Sequence, residues 1–490
     1  MSSGILSDVA NGSPSVTLVA ISRALAAGDV TSRELVREYA ERYQSDRSSP
    51  HPINGYVEFF EHAEEDAKSA DELRQHGDTR PLLGLPIAVK DNIHIEGELL
   101  TCASRILEGY RAPYSATVIE RLQDAGAVLL GRTNMDEFAM GSSCEYSIYG
   151  PSRNPLDRRL TCGGSSGGSA AVVAGGQAPF SLGSDTGGSI RLPASFCGIY
   201  GLKPTYGALS RYGLVAFGSS LDQIGFFGHS PLDLALVLES TAGADPRDET
   251  SADYAFRRFE MTDLAGRSVA VPEELMGVGI DPEVVTLFEE FVEWLKSLGA
   301  RVDRASFPNL DACLAVYYII ASAEASSNLS RYDGVKFGYR DESGSTLGEM
   351  YESTRMSGFG EEVKRRILSG NYVLSSGYYD AYYKKAQAVR RILREQVEKC
   401  FVDYDWIVSP TSPTPAFPLG RHSNEPLSMY LTDVCTTFAN LTESPSISIP
   451  FGNNRAGLPV GVQVTGPRFG DSKLIGPANL FYEQSSRVDV

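Results

Sequence analysis

Gly163-Gly164-Ser165-Ser166-Gly167-Gly168-Ser169, followed after a run of small residues by Gly183-Ser184-Asp185-Thr186-Gly187-Gly188-Ser189-Ile190-Arg191, is the stretch on which the reading of this chain turns. Upstream, Gly84-Leu85-Pro86-Ile87-Ala88-Val89-Lys90-Asp91-Asn92 places a lone lysine after a strand-like apolar run, Leu85 to Val89. Two glycine-flanked serines and one lysine in apolar surroundings can supply a nucleophile, a proton relay and a base. If the second cluster curls, the amides of Thr186, Gly187, Gly188 and Ser189 point into one concavity, a nest suited to an oxyanion. Lys90 can act as a base only if burial brings its pKa from about 10.4 toward neutrality. Otherwise it is a surface residue paired with its neighbour Asp91. The residues alone leave both open.

Other chemistries fit this stretch less well. Gly163-Gly164-Ser165-Ser166-Gly167 matches the G-x-S-x-G elbow of α/β-hydrolases, but Pro155 to Cys162 is no apolar strand. Of the histidines that follow, His229 and His422, neither lies in an evident catalytic context. A phosphate-binding loop lacks its Gly-Lys-Ser/Thr ending, and a dinucleotide fold its G-x-G-x-x-G spacing. Glycines that merely make tight turns explain one such cluster better than two.

Outward from the serine clusters the chain alternates helices and strands. Thr31 and Glu34 form a T-x-x-E capping box before Leu35, Val36, Tyr39 and Tyr43. Ala116 to Ala125 reads as a helix stopped by Gly126, then a strand over Ala127 to Leu130. Ser268 to Val271 reads as a strand. Asp281 and Pro282 open a helix whose apolar positions, Leu287, Phe288, Phe291, Leu295 and Leu298, keep helical spacing. Gly299 stops it, and Ala300 to Val302 resumes a strand. Ser376 to Phe401 reads as one long helix, and Ser409 to Pro415 as a loop. This alternation predicts an α/β fold with a mixed or parallel sheet. No repeat or low-complexity linker divides it, so one domain over 1–490 is expected, with Gly243 to Asp253 its least structured break.

At 490 residues, 42% hydrophobic and 22% charged, the chain has the composition of a globular protein with a sizeable core. A formal charge of −18 argues against a free-standing nucleic-acid binder. The seven cysteines contain no C-x-x-C pair and are irregularly spaced, so reduced thiols are expected, without disulfides or zinc. Met1 to Asp8 has no basic n-region, and no apolar run reaches membrane-spanning length, so a cytoplasmic location is expected.

The segment from Gly163 to Lys203, with Gly201-Leu202-Lys203-Pro204-Thr205 at its end, resembles the amidase signature family. The resemblance implies that family's fold, a central twisted mixed β-sheet covered by helices on both faces, with a helical segment at about 17–80 packed on a core at about 81–230. It implies a triad in which Ser189 is the nucleophile, Ser165, on a cis peptide bond, the bridging serine, and Lys90 the base. The Thr186-to-Ser189 amides would hold the oxyanion. Asn134 to Ser143, Ser210 to Phe217, Ser219 to Gly225, Ala323 to Leu329, Ser375 to Lys385 and Met429 to Asp433 resemble more narrowly the branch that serves tRNA-dependent amidotransferases. That branch implies glutamine as substrate, Arg366 for its carboxylate and Asp433 for its ammonium. It implies further subunits B and C as partners and misacylated tRNA reached through the complex. No cofactor or metal is expected in this chain; ATP and Mg2+ would act in the partner. A stand-alone hydrolase of small amides is the alternative. Leu192, Phe226 and the short tail after Phe481 depart from the pattern without touching the triad.

Overall fold

The computed structural model describes residues 3–10, 16–258, 261–277, 279–422 and 425–488. Met1 and Ser2, part of the N-terminal stretch read above, lie outside them. Among the described residues eleven strands form one mixed sheet: β1 (Tyr56–Phe59), β2 (Pro86–Lys90), β3 (Val128–Thr133), β4 (Phe180–Asp185), β5 (Tyr200–Lys203), β6 (Gln223–Gly228), β7 (Ser268–Pro272), β8 (Arg301–Ala305), β9 (Trp406–Pro410), β10 (Ser446–Asn453) and β11 (Pro459–Thr465). Their order across the sheet is β1-β3-β2-β4-β6-β5-β10-β11-β9-β7-β8. The β3-β2-β4 and β9-β7-β8 groups are parallel, and the middle from β4 to β9 is antiparallel. Every residue of β2, β3, β4, β6, β5, β11 and β9 is buried. Successive side chains point to opposite faces, so both faces of the sheet are covered. Helix Gly167–Ala174 packs on β2, β4 and β6, and helix Arg191–Cys197 on β5, β10 and β11. The first serine cluster therefore opens helix Gly167–Ala174 after a long loop, and the second sits where β4 ends and helix Arg191–Cys197 begins.

The Thr31–Glu34 capping box forms as expected. The helix expected at 116–125 spans Thr117–Asp124, and Gly126, at φ 93°, turns the chain into β3. β3 runs past the expected strand end to Thr133 because Gly131 lets β1 approach closely: a Cβ there would lie 2.2 Å from the Glu58 carbonyl oxygen. Helix Pro282–Ser297 begins under an Asp281 cap, and the following strand is Arg301–Ala305. Two expectations need correction. The long helix read from Ser376 starts only at Lys385; before it, Asp380–Lys384 is a π-helical turn in which the Lys384 N–H donates to the Tyr379 carbonyl. Gly377 and a tilted pair of tyrosine rings, Tyr372 and Tyr378 with centroids 4.2 Å apart, accompany the interruption of the regular helix. Ser409 and Pro410 belong to β9, where they pair with Gln463 and Val462 at the strand's end. The stretch from Gly243 to Asp253 holds no helix or strand, as expected, yet it is fastened: Asp245 accepts from Ser210 Oγ at 2.6 Å, and the Ala252 N–H donates to the Gly207 carbonyl.

Candidate active site

Lys90 is the last residue of β2 and is fully buried. Its Nζ donates to Ser165 Oγ at 2.8 Å, to Ser166 Oγ at 2.8 Å and to Ser184 Oγ at 2.9 Å. The pairing with Asp91 does not occur, because Asp91 forms a buried ion pair with Arg132. Burial without a contacting carboxylate pushes the Lys90 ammonium down to about 7, against weaker opposing fields from Asp136 and Asp185. A neutral amine carries a lone pair that accepts a proton from one of these hydroxyls. Ser166 is not that donor, since its own proton goes to the Ser184 carbonyl at 2.9 Å.

The peptide bond Gly164–Ser165 is cis. A Cβ on residue 164 would lie 2.1 Å from Asp136 Oδ2, so only glycine fits before the bridging serine. The Ser166 N–H donates to the Ser189 carbonyl at 3.2 Å, which ties the two clusters together. Lys90 and Ser165 are 0% exposed and Ser189 is 7% exposed, so of these three Ser189 meets solvent.

The loop before Ser189 is built around Asp185. Burial alone would raise this carboxyl, but the wholly buried Arg191 guanidinium, at 3.0 and 3.1 Å, brings it down to about 2. Arg191 also donates to Asn440 Oδ1 and the Thr436 carbonyl, which locks the loop to the far side of the site. Asp185 takes the amides of Gly188 (2.9 Å) and Ile190 (3.1 Å). This corrects the expected oxyanion hole: the Gly188 amide is already engaged. Among the described residues, the N–H groups of Thr186, Gly187 and Ser189 have no protein acceptor. Gly188, at φ 140°, leaves a hypothetical Cβ 2.2 Å from Thr436 Oγ1, so a side chain there would break the curl. Asp185→Asn leaves the Arg191 charge buried and uncompensated, and is expected to cost about 3–5 kcal/mol in chemical denaturation. A loss below about 1 kcal/mol would show that the pair does not hold the loop.

Arg366 and Asp433 are brought to one wall of the site. Arg366 lies on helix Glu361–Leu374, where its neighbour Arg365 faces solvent and Arg366 turns inward. Its Nε donates to Glu362 Oε1 at 2.6 Å, and Nη1 is buried with no partner. Asp433 is buried and accepts from Ser142 Oγ at 2.9 Å and Tyr318 Oη at 2.8 Å. Desolvation raises its carboxyl to about 6, so it remains mostly ionised at neutral pH. The Tyr318 ring lies 4.6 Å from the Arg366 guanidinium and stacks on Tyr430 at 4.1 Å, separating cation from anion. Sequence reasoning missed Ser166, Ser184 and Tyr318. The first two stood inside the quoted clusters, and Tyr318 was legible as one of two tyrosines in the apolar first half of helix Cys313–Asn328.

A buried lysine amine joined to a serine on a cis peptide, beside a second serine on a loop of unpartnered amides, is a constellation for acyl transfer from amides. The chain belongs to the amidase family, whose model matches residues 34–475. It is 52% identical over 468 residues to the glutamyl-tRNA(Gln) amidotransferase A chain of Treponema denticola, covering 94% of this chain and 96% of that protein. The crystal structure of the corresponding glutamyl-tRNA(Gln) amidotransferase A chain from Thermotoga maritima superposes with a TM-score of 0.76 at 40% identity, over 94% of this chain and 93% of that one. The peptide amidase of Stenotrophomonas maltophilia superposes with a TM-score of 0.81 at 27% identity, over 96% and 97%.

Proposed function

We propose that this chain is the glutamine-hydrolysing component of a tRNA-dependent amidotransferase. The observation that carries the chemistry is the buried Lys90 amine, brought to about 7 and hydrogen-bonded to Ser165. The similarity over nearly the whole chain to the glutamyl-tRNA(Gln) amidotransferase chains carries the assignment to a complex.

Ser189 Oγ attacks the side-chain amide carbon of glutamine. Its proton passes to Ser165, which hands its own to Lys90. The amides of Thr186, Gly187 and Ser189 receive the oxyanion. Lys90, now protonated, returns the proton through Ser165 to the nitrogen as the C–N bond breaks and ammonia leaves. Water then attacks the glutamyl ester on Ser189 by the same relay and releases glutamate. Arg366, through the unpartnered Nη1, takes the substrate carboxylate, and Asp433 takes its ammonium.

The ammonia serves amidation of Glu-tRNA(Gln), or of Asp-tRNA(Asn), in partner subunits B and C, where ATP and Mg2+ act. Such a complex works in the cytoplasm; among the described residues no helix is long and apolar enough to cross a membrane. The test is ammonia release by the chain co-purified with its partners, from glutamine and from simple primary amides. Glutamine is expected to be preferred, and Arg366→Gln to raise its KM about 100-fold with little change in kcat. Equal turnover of simple amides without partners would overturn this reading in favour of a stand-alone amidase.

A further inference from the structure

The segment that follows β3, Asp136 to Ser142, carries none of the proton transfers above, yet it joins the bridging serine, Asp433 and the helix of Arg366. At one end the Asp136 N–H donates to the Ser165 carbonyl at 3.1 Å. At the other, Ser142 holds Asp433. Between them Glu137 is 4% exposed and its carboxylate accepts from Ser104 Oγ and from the Gly360 N–H, at 2.9 Å to Oε2 and 3.1 Å to Oε1.

Gly360 is the N-cap residue of helix Glu361–Leu374, the helix that carries Arg366. An N-cap side chain ordinarily accepts the first free amides of a helix. Glycine has none, and Glu137 brings a carboxyl group to that end from a distant part of the chain; burial raises it to about 7, while the Ser104 and Gly360 hydrogen bonds and the helix dipole favour its ionised form. A Cβ on residue 360 would lie 2.3 Å from Glu137 Oε2, so glycine is what admits the carboxylate. The grip is rigid. Phe138 and Ala139 adopt positive φ, 49° and 62°, a conformation that non-glycine residues keep only where their surroundings impose it. The Phe138 ring packs 5.7 Å from that of Phe359, the residue before Gly360.

We propose that Glu137 is a positioning residue for glutamine specificity. By fixing the start of the Arg366 helix to the segment that holds Ser165, it sets the distance between the recognised carboxylate and the reacting amide. The proposal rests on the reading that Arg366 binds that carboxylate. It is tested in the complex with Glu137→Gln, which keeps the shape but replaces the ionisable carboxyl with an amide, and with Ser104→Ala, which removes the carboxyl's other partner. Arg366→Gln is the reference. Glutamine affinity is read by calorimetry in a Ser189→Ala background, and KM and kcat in the Ser189 enzyme. Glu137→Gln is expected to weaken glutamine binding and raise KM about tenfold with kcat within about threefold, and Ser104→Ala to move KM in the same direction. Turnover of a primary amide lacking the carboxylate is expected to be unchanged. An unchanged glutamine affinity in both variants, or an equal loss of kcat on both substrates, overturns the proposal. If Arg366→Gln itself leaves glutamine affinity intact, the reading beneath it fails instead.

Discussion

Ser189→Ala is expected to lower glutamine hydrolysis by about 10⁶-fold while leaving ammonia-driven amidation of Glu-tRNA by the complex intact. The size follows from the division of roles. Ser165 is fully buried with Lys90, and Ser189 alone of the three reaches solvent, so without it no hydroxyl stands where substrate arrives. The amides of Thr186, Gly187 and Ser189 remain, and an oxyanion site without its nucleophile retains only a small part of catalysis. Alanine at 189 preserves the amide, so the curl around Asp185 survives, and with it the packing through Arg191, Asn440 and Thr436. The experiment follows Gln-tRNA formation with glutamine and, separately, with ammonium chloride. Loss of the ammonia-driven reaction in a folded complex would show that this chain does more than supply ammonia. Survival of glutamine hydrolysis would remove Ser189 as nucleophile.

The parts of the site that were legible in the sequence share one property: they are local. The curl of Thr186 to Ser189 needs small residues at fixed offsets, and glycines at 187 and 188 announce it. The capping box of Thr31 and Glu34 and the stop at Gly126 are likewise short-range. What could not be read depends on contacts between residues far apart in the chain. Asp91 stood next to Lys90 and was its obvious partner, yet Arg132 takes it, since β2 and β3 lie side by side. Glycine at 188 was read as a free amide because the Asp185 carboxylate that occupies it could not be aimed from sequence. The family resemblance gave Arg366 its role, but its inward turn out of a basic run with Lys364 and Arg365 depends on the packing of its helix on helix Cys313–Asn328. The π-turn at Asp380–Lys384 was hidden for a related reason: a tyrosine-rich segment reads as helix, while the tilted pairing of Tyr372 and Tyr378 across Gly377 accompanies its change of winding. The family resemblance supplied roles for Ser165, Ser189 and Lys90; it could not supply the physical state of the lysine.

That state makes the second large prediction. Lys90→Met and Lys90→Arg are both expected to lose glutamine hydrolysis by about 10³- to 10⁴-fold, the range of a general base. Arginine retains charge and length but does not deprotonate, so its failure would show that a neutral amine, and not a cation, is required. In the Lys90 enzyme, kcat/KM should rise with pH through about 7, as the ammonium gives up its proton. Asp433, raised to about 6, must be ionised to take the substrate ammonium and adds an earlier limb, which the residual activity of Lys90→Met should keep after the limb near 7 has gone. The same shift has a consequence for stability, and its sign is fixed by burial. Below about 7 folded and unfolded chains both hold the proton, and the folded state bears the cost of a buried charge. Between about 7 and the ordinary lysine value of 10.5 the unfolded chain binds the proton that the folded chain has lost, so stability climbs with pH. Relative to Lys90→Met, the Lys90 enzyme should gain about 1.4 kcal/mol per pH unit in that window and nothing below it. Denaturant unfolding of the two proteins from pH 6 to 10 measures the difference, and groups common to both cancel. A constant difference across that range would mean that Lys90 stays charged in the folded enzyme, and a charged Lys90 cannot accept the proton that Ser165 gives up as it takes the one from Ser189.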